Sequence, residues 1–151
     1  MRLPLRLLTL AVLASCARPQ PAAEPRYEAV ADVRQTMELI IDPAADVIWD
    51  SAGSVVSEAG EQDLAPASPE GWARVEAAAA VLTESGNLLL MPGRSGGPDW
   101  DRHAGDLTGA GKLAMAAAQR QDANALFEAG GRIYEVCLAC HSQYLVDDSA
   151  P

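Results

Sequence analysis

Cys137, Cys140 and His141 stand close to the C-terminal end of the 151-residue chain, in the order C-x-x-C-H. Two thiols at this spacing add across the two vinyl groups of haem as thioethers, and on a helix they lie one turn apart on the same face. The histidine follows directly, so its imidazole reaches the iron from the same side as proximal axial ligand. The pattern predicts one covalent haem c. Three other readings compete with it. A dithiol redox pair is expected near a βαβ pattern, which this sequence lacks. A zinc site needs a second cysteine pair, and the one remaining cysteine is Cys16. The third is a chance match, and an export signal at the other end of the chain counts against it.

That signal occupies Met1 to Ser15. Arg2 and Arg6 form a basic beginning, and Leu7 to Leu13 is an apolar run too short to span a bilayer. It ends in Leu13-Ala14-Ser15-Cys16, which resembles a bacterial lipoprotein signal. In that family the cysteine is lipidated and becomes the first residue of the mature chain. Ordinary cleavage after Ala17 is the competing reading. Lipidation of Cys16 is the favoured reading: two of the three cysteines are committed to haem, and the third would otherwise be an exposed thiol in an oxidising compartment, although cleavage after Ala17 would remove it too. Residues 16–26 carry three prolines and read as an extended tether. Residues 27–147 are then the folded domain, lipid-anchored to a bacterial membrane on the periplasmic side.

The formal net charge is −10, and losing Arg2 and Arg6 with the leader takes it to −12. An exported protein this acidic binds nucleic acid poorly. It suits redox partner proteins with a basic docking patch, although the charge also serves solubility alone.

The elements that must position the motif read as four helices. The first starts near Glu28, with Val33, Met37, Ile40, Ala44 and Val47 on one stripe. Asp42-Pro43 interrupts it, and it ends near Ser51 to Gly53. Ser54 to Ala67 reads as loop, and no strand pattern is visible. The second helix has Ser68 as N-cap and Pro69 in its first turn, with Trp72, Val75, Ala79, Leu82 and Leu89 inward. A Pro- and Gly-rich turn from Pro92 to Pro98 ends it. The third starts near Asp99, with Trp100, His103, Leu107, Ala114 and Ala117 inward. The fourth is capped by Asp122 and carries Leu126, Ile133, Cys137, Cys140, His141 and Tyr144 on one face. The expected fold class is all-α, an antiparallel four-helix bundle with haem attached to the C-terminal helix.

In such a bundle the end of the fourth helix meets the start of the first, the end of the second and the start of the third. That leaves Met37, Met91 and His103 near the haem and puts Lys112 and Met115 at the far end. Met91 lies off the inner stripe. Met37 is the first candidate for the distal ligand, and His103 is the less favoured one. An open iron is the third reading.

A C-terminal C-x-x-C-H on the last helix of a four-helix bundle resembles the class II c-type cytochromes, which include cytochrome c′. The likeness covers roughly Glu28 to Leu145 and includes Arg34-Gln35-Thr36-Met37. It implies that Arg34 lies near the haem propionates and that Met37 ligates the iron in a low-spin member. Two positions depart from the family pattern. Met37 stands three residues after Arg34, where the family's distal residue comes a full turn later. Leu145 stands where cytochrome c′ usually has a basic residue, which counts against an open, gas-binding iron. The expected function is one-electron transfer between redox partners, without catalysis. The alternative is a five-coordinate, cytochrome c′-like protein that binds or scavenges a small gas such as nitric oxide. A homodimer is compatible with either.

Overall fold

The computed structural model describes residues 27–145. The expected leader, the tether and Cys16 lie outside the described residues. What is described is mostly helical, as an all-α reading expects.

The first rod has three parts: α1 (Val33–Thr36), a π-helical turn (Met37–Ile41) and α2 (Asp42–Trp49). It starts later than Glu28 because Asp32 provides a cap. The Asp32 carboxylate accepts from the Gln35 amide at 2.7 Å, and the Gln35 side chain accepts from the Asp32 amide at 3.1 Å. Pro43 does not break the rod. Its ring would collide with the carbonyl four residues back, and it has no N–H to donate. The chain widens one turn earlier instead, and the Asp42 amide donates to the Met37 carbonyl five residues back. The extra residue rotates whatever follows by about 100°. The buried face therefore runs through Thr36, Ile41, Ala44, Ala45 and Ile48, and the expected Ile40 and Val47 are half-buried.

The segment from Ser54 is not all loop. β1 (Ser54–Ser57) and β2 (Gly60–Asp63) pair antiparallel, with Ser54 opposite Asp63 and Ser57 opposite Gly60. Gly60 takes φ +117°, which the tight turn requires and glycine adopts without strain. Every hairpin residue is exposed. With no buried face there is no alternation of apolar and polar residues to read in the sequence.

Three long helices follow: α3 (Pro69–Leu89), α4 (Pro98–Gln119) and α5 (Ala123–Tyr144). Ser68 Oγ accepts from the Gly71 amide at 3.2 Å, and Asp122 accepts from the Ala125 amide at 3.0 Å. The inward stripes of α3 and α4 are buried throughout, as the periodicity predicts. Ile48, Leu82, Leu126 and Ile133 are fully buried, and each contributes roughly 1.5–3 kcal/mol relative to exposure.

α3 and α4 approach closely through glycine. Gly86 faces Thr108, and Gly111 faces Thr83, a register that makes the two helices antiparallel. Trp100 Nε1 donates to the Leu89 carbonyl at 2.8 Å, closing the α3–α4 turn. The start of α4 meets the end of α5, where Trp100 and Tyr144 stack edge to face at 5.2 Å. Trp49 Nε1 donates to the Gly130 carbonyl at 3.0 Å and ties the end of α2 to the middle of α5. One end of the molecule thus gathers the π turn, the end of α3, the start of α4 and the last turns of α5.

Candidate functional site

Cys137, Cys140 and His141 lie in the last two turns of α5 and are half-buried. The Leu145 amide donates to the His141 carbonyl at 2.9 Å, so the helix continues past the histidine and holds its backbone. All three side chains line one cleft of about 240 Å³. Met37 lines it from the first rod and His103 from α4. Ile41, Leu89, Trp100, Leu107 and Val136 supply most of the remaining wall, and Asp42 stands at the edge. A second opening, bounded by Arg34, Met37, Cys140, His141 and Tyr144, adjoins it.

The sequence candidates are therefore brought together in different degrees. Met37, His103, Cys137, Cys140 and His141 share one cleft. Arg34 is at the adjoining rim, exposed, with Nε 2.8 Å from Glu38. This contact raises the guanidinium pKa, chiefly through the hydrogen bond. Neither Met91, Met115 nor Lys112 lines the cleft.

Burial pushes both thiols above the ordinary cysteine pKa, and for Cys137 the Asp42 carboxylate adds to the effect. A dithiol redox pair works through the opposite shift, with a thiolate stabilised at a helix N-terminus or beside a cation. Here the pair lies near a helix C-terminus, where the dipole disfavours negative charge. The raised pKa values do not match the activated thiolate that a dithiol redox pair uses.

His103 is buried, and its Nε2 lies 3.2 Å from Gln143 Oε1. Its ring also meets Tyr144 edge to face at 6.3 Å. It is a packed residue at the cleft wall rather than a half-exposed one.

Among the described residues no three His, Cys, Asp or Glu side chains converge as a metal site. Around the apolar cleft stand two thiols one turn apart, an imidazole beside them and a thioether from another element, a donor set that could hold haem.

Arg94 lines neither opening, and the bracing it provides is not legible in a segment that reads only as a turn. Nη2 donates to the Ala31 carbonyl at 2.6 Å and Nη1 to the Leu88 carbonyl at 2.8 Å. It joins the end of α3 to the chain just ahead of the capping Asp32, and so helps fix where the π turn begins. Its Nε is buried without a partner. Tyr134 and Leu138 line the cleft and are not legible in the sequence either, since they are mostly exposed and fall off the inner stripe.

Comparison with protein-family models, with curated proteins and with solved structures finds no match for this chain.

Proposed function

We propose that this protein is an exported c-type cytochrome that carries one covalent haem and transfers single electrons between redox partners. The observation that carries the reading is the shared cleft. The C-x-x-C-H side chains of α5 and the Met37 thioether of the first rod line the same apolar space. The four rods would form an antiparallel bundle around that cleft, the architecture that the likeness to class II c-type cytochromes implies.

In this reading Cys137 and Cys140 hold the cofactor through thioethers. His141 and Met37 would ligate the iron, and Arg34 would lie near the propionates. When bound, haem supplies an iron that cycles between ferric and ferrous states. Ile41, Leu107 and Val136 would give the haem an apolar wall, and an apolar wall raises the cost of the more highly charged state. A thioether ligand favours the ferrous state and closes the distal position to small molecules. Catalytic side chains are not required. Cleavage before Cys16 and its lipidation would anchor the protein to a bacterial membrane on the periplasmic side.

Optical and electron-paramagnetic-resonance spectra of the purified, haem-loaded protein test the choice between functions. Low-spin iron that does not take up carbon monoxide is expected. High-spin iron that binds carbon monoxide or nitric oxide would overturn electron transfer in favour of gas binding.

A further inference from the structure

The seam between α2 and α5 stays apolar beyond the cofactor cleft. Phe127, Tyr134 and Leu138 lie along one stripe of α5 and are 62%, 59% and 56% exposed. Tyr134 packs edge to face on Trp49 at 6.5 Å. Trp49 and Tyr134 belong both to the cleft and to a shallow depression of about 300 Å³ that continues down the seam to Phe127. Gly131 leaves this depression open, with no atom within 4 Å of where a Cβ would be. A strip that runs from the cofactor wall to solvent is more than scattered surface apolarity.

Charge borders the strip on one side. Asp42 and Asp46 lie one turn apart on α2 and are exposed, while Asp50, just past the helix, lines a depression towards α3 instead. Among the described residues none of them is in an ion pair, whereas Glu38 is paired with Arg34 and Glu135 with Arg132. Asp42 reaches the edge of the cleft itself. The surface thus has an apolar centre and a free acidic border on the α2 side.

We propose that this α2–α5 face is the docking surface for a redox partner protein that presents an apolar patch ringed by lysine or arginine. The proposal rests on the electron-transfer reading above and names where that partner binds. Charge complementarity selects the occupant. A second copy of this chain would bring one acidic border against another in a protein of net charge −10, which opposes a two-fold contact here. A basic partner is steered to the carboxylates, and its apolar patch covers Tyr134 and Leu138, the residues nearest the cofactor cleft.

The test uses the full, haem-loaded protein in its ferrous state, with haem content checked first by mass. Absence of haem defeats the electron-transfer reading and is visible before any docking is measured. The probe is zinc-substituted mitochondrial cytochrome c, a basic, redox-inert stand-in for the partner, followed by amide NMR shifts in low salt. The shifts should concentrate on α2 and on the Phe127 to Leu138 part of α5. The double variant Asp42→Asn, Asp46→Asn should weaken binding about fivefold or more, because rim charges govern such encounters. A control with the same charge change elsewhere, Glu58→Gln, Glu84→Gln, should weaken it less than twofold, by about the screened long-range share. Equal weakening by both sets, or shifts centred on another face, overturns the docking surface and leaves the haem reading intact. Concentration-dependent dimers abolished by Phe127→Ser would overturn it too, by giving the face to a second copy.

Discussion

His103 on α4 and Gln143 on α5 are joined side chain to side chain, Nε2 to Oε1 at 3.2 Å. This contact occupies Nε2 and fixes the ring against α5. Gln143 stands two residues after His141. The contact therefore ties the start of α4 to the turn that holds His141.

His103→Ala should accordingly leave the iron spectrum unchanged. It removes a hydrogen bond worth about 1 kcal/mol and a buried ring, for a total loss of roughly 1–3 kcal/mol. Thermal melting checks the stability, and the Soret and charge-transfer bands check the ligation. High-spin iron in this variant would give the distal position to His103.

Met37→Ala should open the iron: high-spin bands, a lower potential and ready uptake of carbon monoxide, read by optical titration. The π turn adds a second route to the same result. Deleting Leu39, which is 71% exposed, removes the extra residue and rotates Met37 by about 100° relative to α2. Circular dichroism should show a folded helical protein, with the distal ligand lost. A deletion variant that keeps a low-spin spectrum contradicts the role given to Met37.

Much of this arrangement is legible in the sequence, for physical reasons that differ between elements. The α3 and α4 stripes follow a regular 3.6-residue period, so Trp72 to Leu89 and Trp100 to Ala117 read directly. Ser68-Pro69 and Asp122 mark helix starts by chemistry that depends on neighbours in the chain alone. The first rod resists because its period changes partway. Pro43 signals a disturbance, but the sequence does not say whether the helix kinks there or widens at Met37. The cysteines and His141 are visible from spacing. The contacts of Arg94 with Ala31 and of Trp49 with Gly130 are not, since each joins segments more than sixty residues apart.

Close packing of α3 on α4 gives a stability prediction. A Cβ at Gly111 would lie 2.9 Å from the Thr83 amide nitrogen, a backbone atom that cannot easily move. Gly111→Ala gains about 1 kcal/mol of helix propensity but incurs an overpacking cost of about 1–3 kcal/mol. The net effect should be a lower melting temperature. Gly105→Ala has nothing within 4 Å and should raise it. Equal shifts in both variants would mean that the helices are not in contact at Gly111.

The thiols predict a pH dependence in the haem-free chain. Their pKa values are raised in the folded state, so the native form holds its protons longer than the unfolded form. This contribution to stability is present below the ordinary thiol value of 9.0 and is lost as pH rises through the higher folded values. At pH 8 iodoacetamide should alkylate Cys137 and Cys140 more slowly in the folded chain than in urea. Faster alkylation in the folded chain would indicate activated thiolates and revive the dithiol reading.

The central claim is that Cys137 and Cys140 carry haem. Intact-mass spectrometry of the protein, exported from cells with a haem-attachment system and washed with acid acetone, tests it most directly. The account predicts one added haem that the wash does not remove, located on the peptide containing Cys137-Leu138-Ala139-Cys140-His141. It also predicts that Cys137→Ala, Cys140→Ala yields the unmodified mass. An exported wild-type chain with two free thiols and no haem would contradict it.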